Sequence, residues 1–205
     1  MKELGCNSIR LNYSPSTNSE EMLEKLKGYI DMCAEFGLYA IIDWHVYEEL
    51  TTEYGDPTYY TIEARNFFSN VSAYAKEKGY MFLIYDVCSD PSRVDWPLIK
   101  GYADTILSAI KTNDPGAISI VSTPDWSQDI LDPITDPIDP NKYDLGIMYA
   151  LHYAACDHMG LFANLKIAAD LIPVYVSDWH SSDYVNSPDK VCVENSNEFL
   201  SYLNG

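Results

Sequence analysis

The chain has 205 residues and carries 31 Asp and Glu against 13 Lys and Arg, a formal net charge of -18 at pH 7. A surface of that sign repels phosphate backbones and anionic bilayers, which argues against nucleic acid and membrane surfaces as partners and leaves a neutral ligand compatible. The length suits one domain, or two very small ones, with a real hydrophobic core.

Short β-rich runs alternate with longer helical ones. Ser8-Ile9-Arg10-Leu11 is a candidate strand. Thr17 with Glu20 reads as a capping box opening a helix that runs to about Phe36 and is closed by Gly37. Its apolar residues Met22, Leu23, Leu26, Tyr29, Ile30, Cys33 and Phe36 recur at helical spacing. Tyr39-Ala40-Ile41-Ile42 is a strand ending at Asp43-Trp44-His45, and a helix is predicted from about Thr61 to Lys78, ending at Gly79. The third strand is Phe82 to Val87, after which Asp95 reads as an N-cap, with Pro97 in the first turn of a helix to about Lys111. Further strands are expected at Ile118–Val121, Ile147–Leu151 and Val174–Val176, and helices at roughly Leu161–Asp170 and Asp189–Leu203. Asp132 to Tyr143, rich in Pro and Asp, reads as a solvated loop. Alternation with nearly continuous apolar strands argues for a parallel α/β sheet covered by helices. Six strand-helix units are predicted, with no Gly-rich phosphate fingerprint after the first strand, which disfavours a dinucleotide-binding sheet.

The five cysteines (Cys6, Cys33, Cys88, Cys156 and Cys192) lie far apart with no Cys-x-x-Cys pair. Zinc-ribbon spacing is therefore absent, an odd thiol is left over, and most read as small core residues. No apolar run approaches the roughly 18 residues that span a bilayer. Met1-Lys2-Glu3-Leu4-Gly5 does not read as a secretory signal, which leaves an intracellular chain or one whose true beginning is missing.

The carboxyl ends of the predicted strands carry most of the chemistry. Arg10, Asp43, Trp44, His45, Asp86, Ser89, Asp90, Trp126, His152, His158, Asp178, Trp179 and His180 lie there or just beyond, including all four His and three of the four Trp. Asp90 and Asp178 each follow an apolar strand, and two facing carboxylates are the minimum equipment for cleaving a glycosidic bond. Asp86, in mid-strand, reads as a buried hydrogen-bonded acid, and Trp44 as packing. Metal binding is disfavoured, because no His-Glu-x-x-His or comparable spacing occurs.

In chain order, Leu38-Tyr39-Ala40-Ile41-Ile42-Asp43-Trp44-His45, Ile84-Tyr85-Asp86-Val87-Cys88-Ser89-Asp90-Pro91, Trp126-Ser127-Gln128-Asp129, Met148-Tyr149-Ala150-Leu151-His152 and Val176-Ser177-Asp178-Trp179 resemble glycoside hydrolase family five, of the endo-β-1,4-glucanase type. The resemblance runs from about Leu4 to Leu203. It implies a single partial domain over residues 1–205, a (β/α)8 TIM-barrel type that is incomplete, with units corresponding to the second to seventh of the barrel. It places Asp90 at the general acid/base position and Asp178 at the nucleophile position, where the family carries Glu. Arg10 matches the arginine supporting the nucleophile. His45, Ser89, Trp126, His152 and Trp179 fall at substrate-binding positions, with Ser89 standing where the family has Asn. Ala154 stands where the family has Tyr, and His180 where it has Gly. No cofactor or metal is implied. The expected partner is β-glucan or a related polysaccharide, and an extracellular location follows from the family's usual work.

Retaining hydrolysis wants the two carboxyl groups about 5–5.5 Å apart. One methylene less on each side withdraws each oxygen by on the order of one C–C bond. The expectation is a weakened hydrolase. Its alternatives are a glucan-binding pseudoenzyme and a truncated relic. An open six-strand sheet would also leave two unpaired edges, through which self-association is expected.

Overall fold

The computed structural model describes residues 5–15, 19–46, 55–183 and 187–204. Six strands form one sheet in the order β1-β2-β3-β4-β5-β6, and every neighbouring pair is parallel. They are β1 (Ser8–Tyr13), β2 (Tyr39–His45), β3 (Leu83–Ser89), β4 (Ile118–Ser122), β5 (Gly146–Ala154) and β6 (Val174–His180). The sheet is a partial barrel, with β1 and β6 each paired on one side only among the described residues.

Helix α1 (Glu20–Phe36) starts where the Ser19 hydroxyl accepts the Met22 N–H, one turn of capping chemistry that replaces the predicted box. Thr17 lies outside the described residues. Gly37, at φ 62°, ends the helix in the left-handed conformation that a Cβ would strain. Helix α2 (Thr61–Lys78) has the predicted bounds, and α3 (Trp96–Asn113) starts at the predicted Asp95 cap, whose carboxylate accepts the Leu98 N–H.

The connection from β4 to β5 carries only one-turn pieces, α4 (Pro124–Ser127), α5 (Asp132–Thr135) and α6 (Pro140–Tyr143). This corrects the solvated loop. Pro133, Ile138 and Tyr143 are buried, and the Tyr149 hydroxyl accepts the Ile138 N–H. Apolar residues spaced between the Asp and Pro residues pin the segment to the barrel wall. Helix α7 (Met159–Ala169) follows β5. The helix expected at Asp189–Leu203 is shorter. Its first residues, Asp189 to Val191, belong instead to β8 (Ser187–Val191), which pairs antiparallel with β7 (Ser182–Asp183) before α8 (Val193–Leu203).

Two layers follow from strand alternation. Residues such as Ile42, Trp44, Tyr85, Val121 and Tyr149 face the helices in one large core. Trp44 is fully buried and packs with Tyr13 and Phe67, whose own rings lie 4.4 Å apart. The opposite face carries Ile41, Ile120 and Ala150, with Ile84, Met148 and Tyr175 partly buried against them. That small cluster floors the barrel interior beneath the polar strand ends.

Cys156 and Cys192 form a disulfide, a pairing the sequence reading missed when it took most cysteines for core residues. The bond ties the turn after β5 to the start of α8, where the Cys192 N–H also donates to the Ser181 carbonyl. Closing 36 residues of sequence separation should stabilise the fold by about 3–4 kcal/mol through the unfolded chain. Urea unfolding with and without reductant checks this, and an unchanged midpoint on reduction would reject it.

Candidate active site

Arg10 is the hub of the barrel mouth. Alternation turns Ile9 and Leu11 to the helices and Arg10 to the interior. Its Nε donates to Asp43 Oδ2 at 3.0 Å, Nη2 to Asp86 Oδ2 at 2.7 Å and to Ser89 Oγ at 2.8 Å, and Nη1 to the Ser177 carbonyl at 3.1 Å. One planar guanidinium thus joins β1, β2, β3 and β6, a span a lysine ammonium cannot copy. Burial works against the charged guanidinium, but Asp86 and Asp43 outweigh it and raise its pKa above the ordinary value. Asp43 and Asp86 are fully buried register partners on adjacent strands. Burial pushes the Asp86 carboxyl well up, with Arg10 pulling against it. One oxygen of each, Asp43 Oδ1 and Asp86 Oδ1, has no hydrogen-bond partner among the described residues.

Above this layer stands Asp90, in the turn after β3 at φ 58°, a left-handed position that Asp tolerates better than most residues. Its Oδ2 lies 2.9 Å from His45 Nε2 and its Oδ1 3.0 Å from His152 Nδ1. The other ring nitrogen of His45, Nδ1, lies 3.1 Å from Asp43 Oδ2. Burial would raise the Asp90 pKa, but the hydrogen bonds from His152 and His45 override it and hold the carboxyl well below the usual range. Burial alone would lower the His45 pKa. The bonds to Asp43 and Asp90 reverse this and push it up to about 9. A raised folded-state value means that the stability from His45 is fully present below its ordinary 6.5 and is lost as pH rises through about 9.

Irregularities in the ladder place these side chains. The register of β2 on β3 shifts between Asp43 and His45, bringing His45 opposite Ser89. The register of β5 on β6 shifts between Leu151 and His152, bringing His152 opposite Asp178. Bulges of this kind re-aim side chains at strand ends.

The remaining predicted residues divide. Asp178 is half-exposed, with His180 Nε2 3.4 Å from its Oδ1. Trp126 sits in a left-handed turn, with positive φ at Asp125, Trp126 and Ser127, and its backbone N–H donates to the Pro91 carbonyl at 2.8 Å. That bond carries a ring 37% exposed to the loop next to Asp90. Trp179, by alternation, turns away from Asp178 and packs against Phe199 of α8, ring centroids 6.2 Å apart. Ser89 is buried, and its hydroxyl accepts from Arg10. His158 Nδ1 accepts the Ala154 N–H at 3.0 Å and so pins the turn after β5, while burial lowers its pKa. Sequence reasoning read Asp86 as a buried hydrogen-bonded acid, as it is, but did not name Asp43 and Asp86 as the shared anions of Arg10. The signal was available in their position, inward-facing acids on neighbouring strands beside an inward arginine. No group of His, Cys, Asp and Glu among the described residues has the arrangement to hold a metal ion.

Carboxylates and histidines converging at the carboxyl mouth of a parallel barrel sheet are the furniture of a polar catalytic cleft. Residues 1–204 match the model of the cellulases, glycosyl hydrolase family 5, and the chain belongs to that family. It is 33% identical over 172 residues to endoglucanase E-5 of Thermobifida fusca and 32% over 171 residues to endoglucanase CelA of Streptomyces lividans. Those matches cover 82% and 80% of this chain and 35% of each relative, so the chain spans about a third of their length. Its fold superposes on the catalytic domain of Thermobifida fusca endoglucanase Cel5A in complex with cellotetraose, with a TM-score of 0.86 and 26% identity. The superposition covers 98% of this chain and 67% of that one. A cellulase, Cel5C_n, matches with a TM-score of 0.80 and 29% identity, over 91% of this chain and 56% of that one. The shares agree with an incomplete barrel.

Proposed function

We propose that the chain engages β-1,4-glucan at the barrel mouth and cleaves it slowly, with Asp90 on the leaving-group side and Asp178 as the carboxylate at the anomeric carbon. The observation that carries this reading is the position of Asp90 at the end of β3, gripped by His45 of β2 and His152 of β5, with Asp178 in register beside His152 on β6. Arg10, Asp43, Asp86 and Ser89 build the floor that fixes these groups, and Trp126 offers the exposed ring on which a sugar face stacks. The relatives named as endoglucanases support the substrate class, and the disulfide supports an oxidising location outside the cytosol.

A second reading, binding without turnover, draws on the same clamp. A carboxylate held ionised by two imidazoles has no proton of its own for the leaving oxygen. The two readings share a binding test and part at turnover. In native gel electrophoresis through soluble β-glucan the chain should be retarded, and Trp126→Ala should weaken that retention about tenfold, a loss of about 1.4 kcal/mol. Migration unaffected by glucan would sink both readings. Reducing-sugar release from carboxymethylcellulose then separates them, since retarded migration with no product leaves only the binding module.

A further inference from the structure

The geometry points to His45 as the holder of the dissociable proton of this site, with Asp90 as the ionised carboxylate through which that proton passes. The inference rests on the proposed hydrolytic reading and assigns its acid to a pair of residues rather than to one. His45 lies between two carboxylates, Nδ1 3.1 Å from Asp43 Oδ2 and Nε2 2.9 Å from Asp90 Oδ2. A neutral imidazole has a single N–H, so in that form one carboxylate would face a lone pair. Only the imidazolium satisfies both.

The surroundings agree. Asp43 is fully buried and shares its Oδ2 between Arg10 Nε and His45 Nδ1. Asp90 accepts from His152 on its other oxygen. The charged and titratable groups facing His45 among the described residues are Asp43 on its own strand and Asp90 after β3. Behind them stand Arg10 on β1 and Asp86 on β3, with His152 of β5 across Asp90. The nearest two are anions, and Arg10 is already engaged by Asp43 and Asp86.

The shortened side chain makes this arrangement matter. Asp90 sits on the backbone within reach of both rings, and a proton on it would forfeit one of two charge-assisted bonds. As the glycosidic C–O bond breaks, its electron pair leaves with the oxygen. The proton on His45 Nε2 passes to the ionised Asp90 carboxylate and from it to that oxygen. His45 ends as a neutral ring whose Nδ1–H stays on Asp43, and the anomeric carbon gains its new bond from the Asp178 carboxylate. Charge and atoms balance with no further reactant. His45 acts through Asp90 and is a positioning and proton-holding residue.

The test is a titration of the four histidines of the full chain, labelled with 15N, by long-range 1H–15N correlation from pH 5 to 10. His45 should show both ring nitrogens protonated through pH 8, with a midpoint near 9. Asp90→Asn, a change at a partly exposed site, should bring that midpoint down by a unit or more. A His45 that titrates near its ordinary 6.5, or one indifferent to Asp90→Asn, would overturn the assignment. Where product is formed, His45→Asn should slow cleavage of phenyl β-cellobioside by a factor about tenfold or more larger than it slows the 2,4-dinitrophenyl analogue, whose leaving oxygen needs no proton. Equal losses on both would also overturn it. A chain that makes no product while His45 titrates near 9 would refute hydrolysis and leave the proton's location established.

Discussion

Replacing Arg10 by Ala should cost about 3–5 kcal/mol and leave the chain unfolded or nearly so, since single domains keep only about 5–15 kcal/mol in all. The reason is what stays behind. Asp43 and Asp86 are fully buried, adjacent on neighbouring strands, and both lean on the same guanidinium. Without it two carboxyl groups share a dry pocket, and one must take up a proton or the strands must part. Arg10→Lys should recover only part of the loss, because an ammonium cannot hold Asp43, Asp86, Ser89 and the Ser177 carbonyl together. Combining Arg10→Met with Asp86→Asn should restore more stability than Arg10→Met alone holds, by removing one of the stranded charges. Urea unfolding monitored by tryptophan fluorescence measures all four variants. A loss below about 1 kcal/mol for Arg10→Ala would show that the network contributes little.

Lengthening Asp90 and Asp178 by one methylene each should have the largest effect on turnover. Asp90→Glu with Asp178→Glu should raise reducing-sugar release from carboxymethylcellulose by about two orders of magnitude, the cost that a misplacement of about 1 Å carries in such sites. The longer side chain at position 90 would carry its carboxyl past the two imidazoles toward the cleft and free it to hold a proton, while that at position 178 would move the half-exposed carboxyl off the strand toward the sugar. The left-handed backbone at Asp90 tempers the gain, since Glu suits φ 58° less well than Asp, at about 1 kcal/mol. The assay compares the native chain with both single variants and the double. A native rate equal to that of the double variant would show that Asp serves this chemistry as it stands. Silence in all four would shift the cause to Ser89, Ala154 and the unpaired edges of β1 and β6.

Much of the architecture was legible because its signals are local. The Asp95 cap, the Gly37 and Gly79 stops and the 3.6-residue apolar spacing each act within a turn or two, and they located α1, α2 and α3 to within about three residues. The apolar strand runs located the parallel sheet for the same reason. The connection after β4 was misread because Asp and Pro dominate its composition, while Ile138 and Tyr143, which bury, are few. The end of β8, Asp189 to Val191, was read as the start of a helix because its pairing with β7 is a contact between segments and leaves no strand period in five residues.

At the site the division is the same. Residue types and their order along the chain were enough to show a family 5 barrel with carboxylates and histidines at its strand ends, since each of those motifs is a contiguous stretch. What each group touches was decided by approach in space: Arg10 reaches the Ser177 carbonyl across 167 positions of chain and Asp86 across 76, and Trp179 turns to Phe199 because Asp178 turns inward. The protonation of Asp90 and His45 belongs wholly to that second kind. A carboxylate's affinity for its proton depends on the charges and hydrogen-bond donors within a few ångströms, and those donors arrive from strands separated in sequence and joined only by the closing of the sheet.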